Sequence, residues 1–141
     1  MNLANIKYIG FYNADGIKPE RSIPLAGRNK MDYTISVLKC FFQSVEILSP
    51  ACVVNSSAKE EYVDLQDGVS LRLFRNISPC NRFCKVFNHY YSQFQLFIYL
   101  LKNTKRNEPV LVYHSLVYKK FIIWAKKIKH FKLILELNEI Y

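Results

Sequence analysis

Residues 109–141 read as a strand, a helix and a second strand, and this pattern limits the fold more than any other feature of the chain. Pro109-Val-Leu-Val-Tyr-His-Ser115 is a short apolar run that ends in a histidine and a serine. The helical stretch after it places Val117, Phe121, Trp124, Ile128 and Phe131 inward and Lys119, Lys126, Lys127 and His130 on the other side. Lys132-Leu-Ile-Leu-Glu-Leu-Asn-Glu-Ile-Tyr141 closes the unit. Parallel strands need a crossover of this kind, so the stretch predicts a βαβ unit and a parallel sheet. Ligands of such sheets bind in the crevice beyond the carboxyl ends of the strands, where His114, Ser115, Asn138 and Glu139 fall.

The upstream sequence repeats the alternation. Ile6-Lys-Tyr-Ile-Gly-Phe-Tyr12 reads as a mostly buried strand, and a long polar loop from Asn13 to Arg28 carries Gly16, Pro19, Pro24 and Gly27. A loop that long between a strand and a helix exceeds the usual connection and is often functional. Met31, Ile35, Leu38 and Phe42 then form one stripe of an amphipathic helix, with Asn29 as its expected N-cap. Val45–Ser49 and 51–54 give a second strand interrupted at Pro50, and residues 55–67 read as an acidic loop. In Val69–Phe74, apolar Val69, Leu71 and Leu73 alternate with Ser70 and Arg72, which predicts a strand at the sheet edge. After a loop from Asn76 to Lys85, a second helix carries Tyr90, Phe94, Phe97, Ile98 and Leu101 on one side, read as core packing. The expected architecture is one α/β domain: a Rossmann-like, mostly parallel sheet flanked by helices.

Composition narrows the class of partner. Twenty Lys and Arg against eleven Asp and Glu give a net charge of +9, which favours nucleotide phosphates, acidic lipid headgroups or nucleic acid, or else a solvated basic face with no dedicated partner. No run of about 18 apolar residues is present, and Asn2, Asn5 and Lys7 interrupt any leader-like segment, so the expected location is cytoplasmic. Cys40 and Cys52 sit in apolar settings and read as core filler, while Cys80 and Cys84 lack the further ligands that a zinc site needs. No metal is expected.

The four glycines draw neither a dinucleotide-binding fingerprint nor a P-loop, so no nucleotide cofactor is expected. What remains is Ile23-Pro-Leu-Ala-Gly-Arg-Asn-Lys-Met31, leading into a helix N-terminus. Small residues there admit a ligand to the backbone, the amides favour a phosphate, and Arg28 and Lys30 add fixed charge. His114 at a strand end reads either as a hydrogen-bonded, half-buried residue or as a catalytic one. Glu136 lies mid-strand, where a buried carboxylate needs a partner.

Four segments carry a family resemblance: the helix entry Ala26-Gly27-Arg-Asn-Lys-Met-Asp-Tyr-Thr-Ile35, the strand Val45-Glu-Ile-Leu-Ser-Pro50, Val112-Tyr-His-Ser115, and Ile134-Leu-Glu-Leu-Asn-Glu-Ile-Tyr141. On these, the chain resembles, along nearly its whole length, the N-terminal domain of the two-Rossmann-domain retaining glycosyltransferases of family four, whose architecture is GT-B. Ala26-Gly27 stands where such enzymes commonly carry two glycines. The resemblance implies that His114 is catalytic, near the transferred sugar. It also implies that Gly27, Arg28, Lys30, Ser115 and Glu139 bind donor phosphate or acceptor. The partners it implies are a nucleoside-diphosphate sugar and a glycan or lipid-linked acceptor, in surface polysaccharide synthesis, with peripheral contact to the inner membrane face. Arg75, Arg82, Lys85, Lys119 and Lys120 would then meet acidic headgroups.

A second, nucleotide-sugar domain with a Glu-x7-Glu motif completes such enzymes, and no such pair occurs in 1–141. The chain is therefore expected to be half an enzyme, inactive alone and open to a C-terminal domain supplied in trans. The alternatives are a non-catalytic basic α/β module that binds a polyanion and an inactive remnant of a split gene. Nucleic acid is disfavoured because the aromatics are expected on inward stripes.

Overall fold

The computed structural model describes residues 3–113 and 118–136. Six strands and three helices alternate: β1 (Leu3–Ile9), α1 (Leu25–Phe41), β2 (Phe42–Ser49), β3 (Glu61–Asp64), β4 (Val69–Leu73), α2 (Arg82–Asn103), β5 (Pro109–Tyr113), α3 (Lys119–Lys129) and β6 (Lys132–Glu136). The strands form one sheet in the order β3-β4-β2-β1-β5-β6, in which every pairing is parallel except β3 with β4. This is the expected α/β, Rossmann-like arrangement, with α1 on one face and α2 and α3 on the other.

Period-two alternation along each strand assigns side chains to the two layers. Ile6 and Tyr8 of β1, Val45 and Ile47 of β2 and the three apolar residues of β4 meet Met31, Ile35 and Leu38 of α1. Ile9, Leu48, Val110 and Val112 face the other way, onto Leu96 and Leu100 of α2 and Ile122 and Ala125 of α3. The Val, Leu, Ile and Met side chains among them contribute about 1.5–3 kcal/mol each on full burial, so the two layers supply most of the driving force for the fold.

Several expectations are corrected. α1 starts at Leu25, not beyond Asn29: Pro24 occupies the cap position with φ −69°, a value its ring imposes, and the helix needs no side-chain cap there. Phe42 belongs to β2 instead of the helix stripe. β4 is not an edge strand, because Glu61–Asp64, within the expected acidic loop, pairs with it antiparallel from Leu73 back to Ser70. Cys40 is exposed and Cys52 half-buried, so neither fills the core. The outward faces of α2 and α3 differ most: Tyr90, Phe94, Trp124 and Ile128 were expected inside and are exposed. Among the described residues, no helix is long and apolar enough to cross a membrane.

The reason α2 turns this way lies in its interior side, which is polar over its first half. Asn88, Ser92 and Gln93 are buried, whereas further along Leu96 and Leu100 take over. Asn88 accepts from the Ile77 amide at 2.9 Å and donates to the Ile77 carbonyl at 2.7 Å. Asn76 donates to Ser92 Oγ at 3.0 Å and accepts from the Val53 amide at 3.1 Å. These side chains satisfy the irregular backbone after β2 and β4, which no strand pairs.

Candidate functional site: a cleft at the head of β1

Chain direction reverses its path across the sheet at β1. From β1 the chain crosses to β2 on one side, and β5 later joins β1 on the other. The carboxyl ends of β1 and β5 thus flank a topological switch point, the place where open parallel sheets bind ligands. Two glycines keep it tight. A methyl group at Gly10, just past β1, would fall 2.6 Å from Met31 Sδ and 3.1 Å from Tyr113 Cβ. One at Gly27, in the first turn of α1, would lie 3.5 Å from the Tyr113 hydroxyl. The first turn of α1, the exit of β1 and the end of β5 therefore converge.

The segment from Phe11 to Pro24 wraps this point and forms a cleft of about 310 Å³ with the start of α1. Asn13, Asp15, Lys18, Arg21, Leu25 and Arg28 are among its walls. Ser49, fully buried at the end of β2, anchors the segment: its hydroxyl accepts from the Tyr12 amide at 2.9 Å and donates to the Tyr12 carbonyl at 2.6 Å. Arg21 ties the far end down, donating to the carbonyls of Ala51 at 2.7 Å and Phe74 at 3.0 Å. It is 3% exposed, and among the described residues no carboxylate forms an ion pair with it. Burial lowers its pKa, against the charge of Glu61, yet a guanidinium stays charged in proteins, so it places a buried positive charge beside the cleft.

Two features of the cleft lack internal partners. The α1 terminus carries no side-chain cap and no acidic residue in its first turn, so its leading amides and positive dipole end lack an internal partner. The Arg28 amide itself is engaged, donating to the Pro24 carbonyl at 2.9 Å. Asn13 is 6% exposed, and among the described residues its Oδ1 has no hydrogen-bond partner. A buried acceptor left unmade costs about 1–3 kcal/mol.

The Arg28 guanidinium is held at present by Asp15, 2.7 Å away and itself well exposed, while Asp32 lies 3.9 Å off and accepts from the Tyr12 hydroxyl at 2.6 Å. The hydrogen bond from Arg28, then its charge, keeps the Asp15 carboxyl below the usual range. Asp15 occupies the position that an incoming anion would take on Arg28.

Of the residues singled out from sequence, Gly27 and Arg28 lie together at this terminus. Gly27 is buried toward Tyr113, and Arg28 lines the cleft. Lys30 is exposed on α1 and is not part of the cleft wall. His114, Ser115 and Glu139, with Asn138, lie outside the described residues; Tyr113, immediately before His114, is at the switch point. Glu136 does find the partners its position required: Tyr8 donates to it at 2.7 Å and Thr34 at 3.4 Å. Asn13, Asp15, Arg21 and Ser49 were missed. Only loop length pointed to this segment, and side-chain burial within a loop leaves no periodic signal.

A larger depression of about 550 Å³ lies at the opposite, amino-terminal end of the sheet. Its floor is a closed ion network. Lys7 pairs with Glu108 and lies 3.7 Å from Glu46, and Arg72 reaches Glu46 at 3.6 Å and Glu60 at 2.8 Å. The Arg72 guanidinium also stacks on the Tyr99 ring at 4.5 Å. Cations and carboxylates satisfy one another there, so a ligand would have to break existing pairs. Size alone does not make it the better site. Among the described residues, no three of His, Cys, Asp and Glu converge to hold a metal ion. No protein-family model, curated protein or solved structure shows significant similarity to this chain.

Proposed function

We propose that the chain is the N-terminal, acceptor-side domain of a retaining glycosyltransferase of family four, with the cleft at the head of β1 as its contribution to the active site. The observation that carries this reading is the uncapped terminus of α1, which opens at the switch point beside Asn13, buried and without a hydrogen-bond partner at Oδ1 among the described residues. Amides and Arg28 suit a diphosphate, and the Asn13 carbonyl suits a sugar hydroxyl. A site that combines them suits a nucleoside-diphosphate sugar better than a bare polyanion. Charge that develops on a departing diphosphate is stabilised by such fixed dipoles and cations. In this reading His114 contacts the transferred sugar, and a second nucleotide-binding domain supplies the opposite wall of the crevice.

The test is equilibrium binding of a panel of nucleoside-diphosphate sugars, with heparin as the polyanion control. Saturable binding of at least one nucleotide sugar, weakened by Arg28→Ala and strengthened by Asp15→Asn, is expected. Heparin binding without any nucleotide-sugar binding, unaffected by either substitution, would favour the alternative of a basic polyanion-binding module.

A further inference from the structure

We infer that Cys80 and Cys84 form a redox-active dithiol that exchanges with an anionic, low-molecular-weight disulfide. This inference does not depend on the glycosyltransferase reading. The two sulfur atoms lie 2.8 Å apart. A disulfide bond is about 2.05 Å long, so closing one needs an approach of less than about 1 Å. The other two cysteines face different partners: Cys40 donates to the Ser36 carbonyl at 3.5 Å, and Cys52 Sγ lies 3.9 Å from Ser92 Oγ.

The start of α2 brings the pair together. Asn81 is the N-cap, extended at φ −151° and ψ 179°, and its side chain accepts from the Cys84 amide at 2.8 Å. Cys80 therefore stands just before the cap and Cys84 in the first turn. The Cys80 amide donates to the Ser78 carbonyl at 2.9 Å, which fixes the approach of the chain to the helix. Both thiols stay within reach of solvent, because Cys80 is exposed and Cys84 half-buried. Accessible cysteines in a positive setting react, whereas buried structural ones are inert.

Local charge selects the reagent. Arg82 lies between the two cysteines, Lys85 follows them, and the first turn holds no acidic residue. With the positive end of the helix dipole, these cations favour a thiolate and draw in a disulfide that carries carboxylates. The hydrogen bond with Cys84 raises the Cys80 pKa, so exchange quickens as pH rises and the thiolate fraction grows. The Cys80 thiolate attacks one sulfur of the external disulfide, forms a mixed disulfide and expels a small thiolate, which takes up the proton that Cys80 released. The Cys84 thiolate then attacks the Cys80 sulfur and expels the second small thiolate, protonated in the same way. Two electrons pass from the cysteines to the external disulfide, and one S–S bond and two S–H bonds stand on each side of the exchange.

The experiment incubates the reduced full chain with glutathione disulfide at mildly alkaline pH and follows free thiols and intact mass. Loss of two of the four thiols is expected, with a mass lower by two hydrogens and full recovery on adding dithiothreitol. Cys84→Ser should stop at a stable glutathione adduct on Cys80, and Cys80→Ser should not lose the two hydrogens. Both positions are open to solvent, and circular dichroism checks that the serine variants keep the fold. At low ionic strength, cationic cystamine should react several-fold more slowly than glutathione disulfide, each rate taken relative to that with a neutral model thiol. Arg82→Gln with Lys85→Gln should close that gap. Both thiols left free in the parent chain, a glutathione adduct that persists there, or a disulfide between two chains would overturn the inference. Cystamine reacting as fast as glutathione disulfide would overturn the anionic preference.

Discussion

Replacing Asn88 with leucine provides a direct test of how α2 is oriented. By hydropathy the change should stabilise, because a nearly isosteric apolar side chain enters a position that is 1% exposed. Full burial of a leucine contributes about 1.5–3 kcal/mol. Against this, the Ile77 amide and carbonyl lose their hydrogen-bond partner together, at 2.9 and 2.7 Å. Each buried backbone group left unmade costs about 1–3 kcal/mol. Ile77 is 37% exposed, so water recovers some of that cost and the lower half of the range applies, about 2–4 kcal/mol for the two groups. The net expectation is a loss of about 1 kcal/mol, read from the urea midpoint at constant m-value. Phe87→Asn, one position away on the exposed side, should stay within about 0.5 kcal/mol. If Asn88→Leu were as stable as the parent, or Phe87→Asn the more damaging of the two, α2 would not be turned as described.

Gly68→Ala should destabilise the fold by at least about 2 kcal/mol in the same urea assay. Its φ of +76° is costly for any residue with a Cβ, and that Cβ would sit 2.6 Å from the Gln43 carbonyl oxygen. Stability should also fall as pH rises above 10. Burial, joined by the neighbouring carboxylates Glu136, Asp32 and Glu46, raises the pKa of Tyr8, Tyr12 and Tyr99 respectively, so the unfolded chain releases those protons first and is favoured. Unfolding midpoints measured between pH 9 and 11 should decline, and Tyr8→Phe should flatten the decline; a midpoint independent of pH there would count against the burial of these phenols. Asp15→Asn should leave stability nearly unchanged, because the carboxylate is exposed, but should tighten the binding of pyrophosphate by freeing Arg28.

Strong periodicity made much of the fold legible. The stripe Met31, Ile35, Leu38 and the strand–helix–strand order of the closing unit needed only the spacing of apolar residues, although α3 buries Ile122 and Ala125 instead of Trp124 and Ile128. β3 was not legible because its only inward residue is the half-buried Val63, while Glu61, Tyr62 and Asp64 are exposed. The start of α1 was misplaced because asparagine is the stronger capping residue, whereas the ring of Pro24 sets the entry geometry without a side-chain bond. The outward face of α2 was read as core because aromatics usually are. The polar side chains that displaced them answer to unpaired backbone near Val53 and Ile77, a demand that exists only once the chain has folded. The site followed the same division. The carboxyl ends of the strands and the Ala26-Gly27 entry could be located from the sequence, but Asn13 and Arg21 became candidates only through their burial.

In the proposed reading, the cleft formed by the start of α1 and the loop after β1 receives a diphosphate and a sugar hydroxyl together. Amide chemical-shift mapping of the isotope-labelled chain, titrated with pyrophosphate and then with a nucleoside-diphosphate sugar, distinguishes this from binding elsewhere. The largest shifts for pyrophosphate are expected at Leu25, Ala26 and Gly27, extending to the Asn13 side-chain amide only with the sugar-bearing ligand, with tighter binding in Asp15→Asn. Shifts spread over the lysines of α3, or confined to the depression around Lys7 and Arg72, with no response to Asp15→Asn, would contradict this reading.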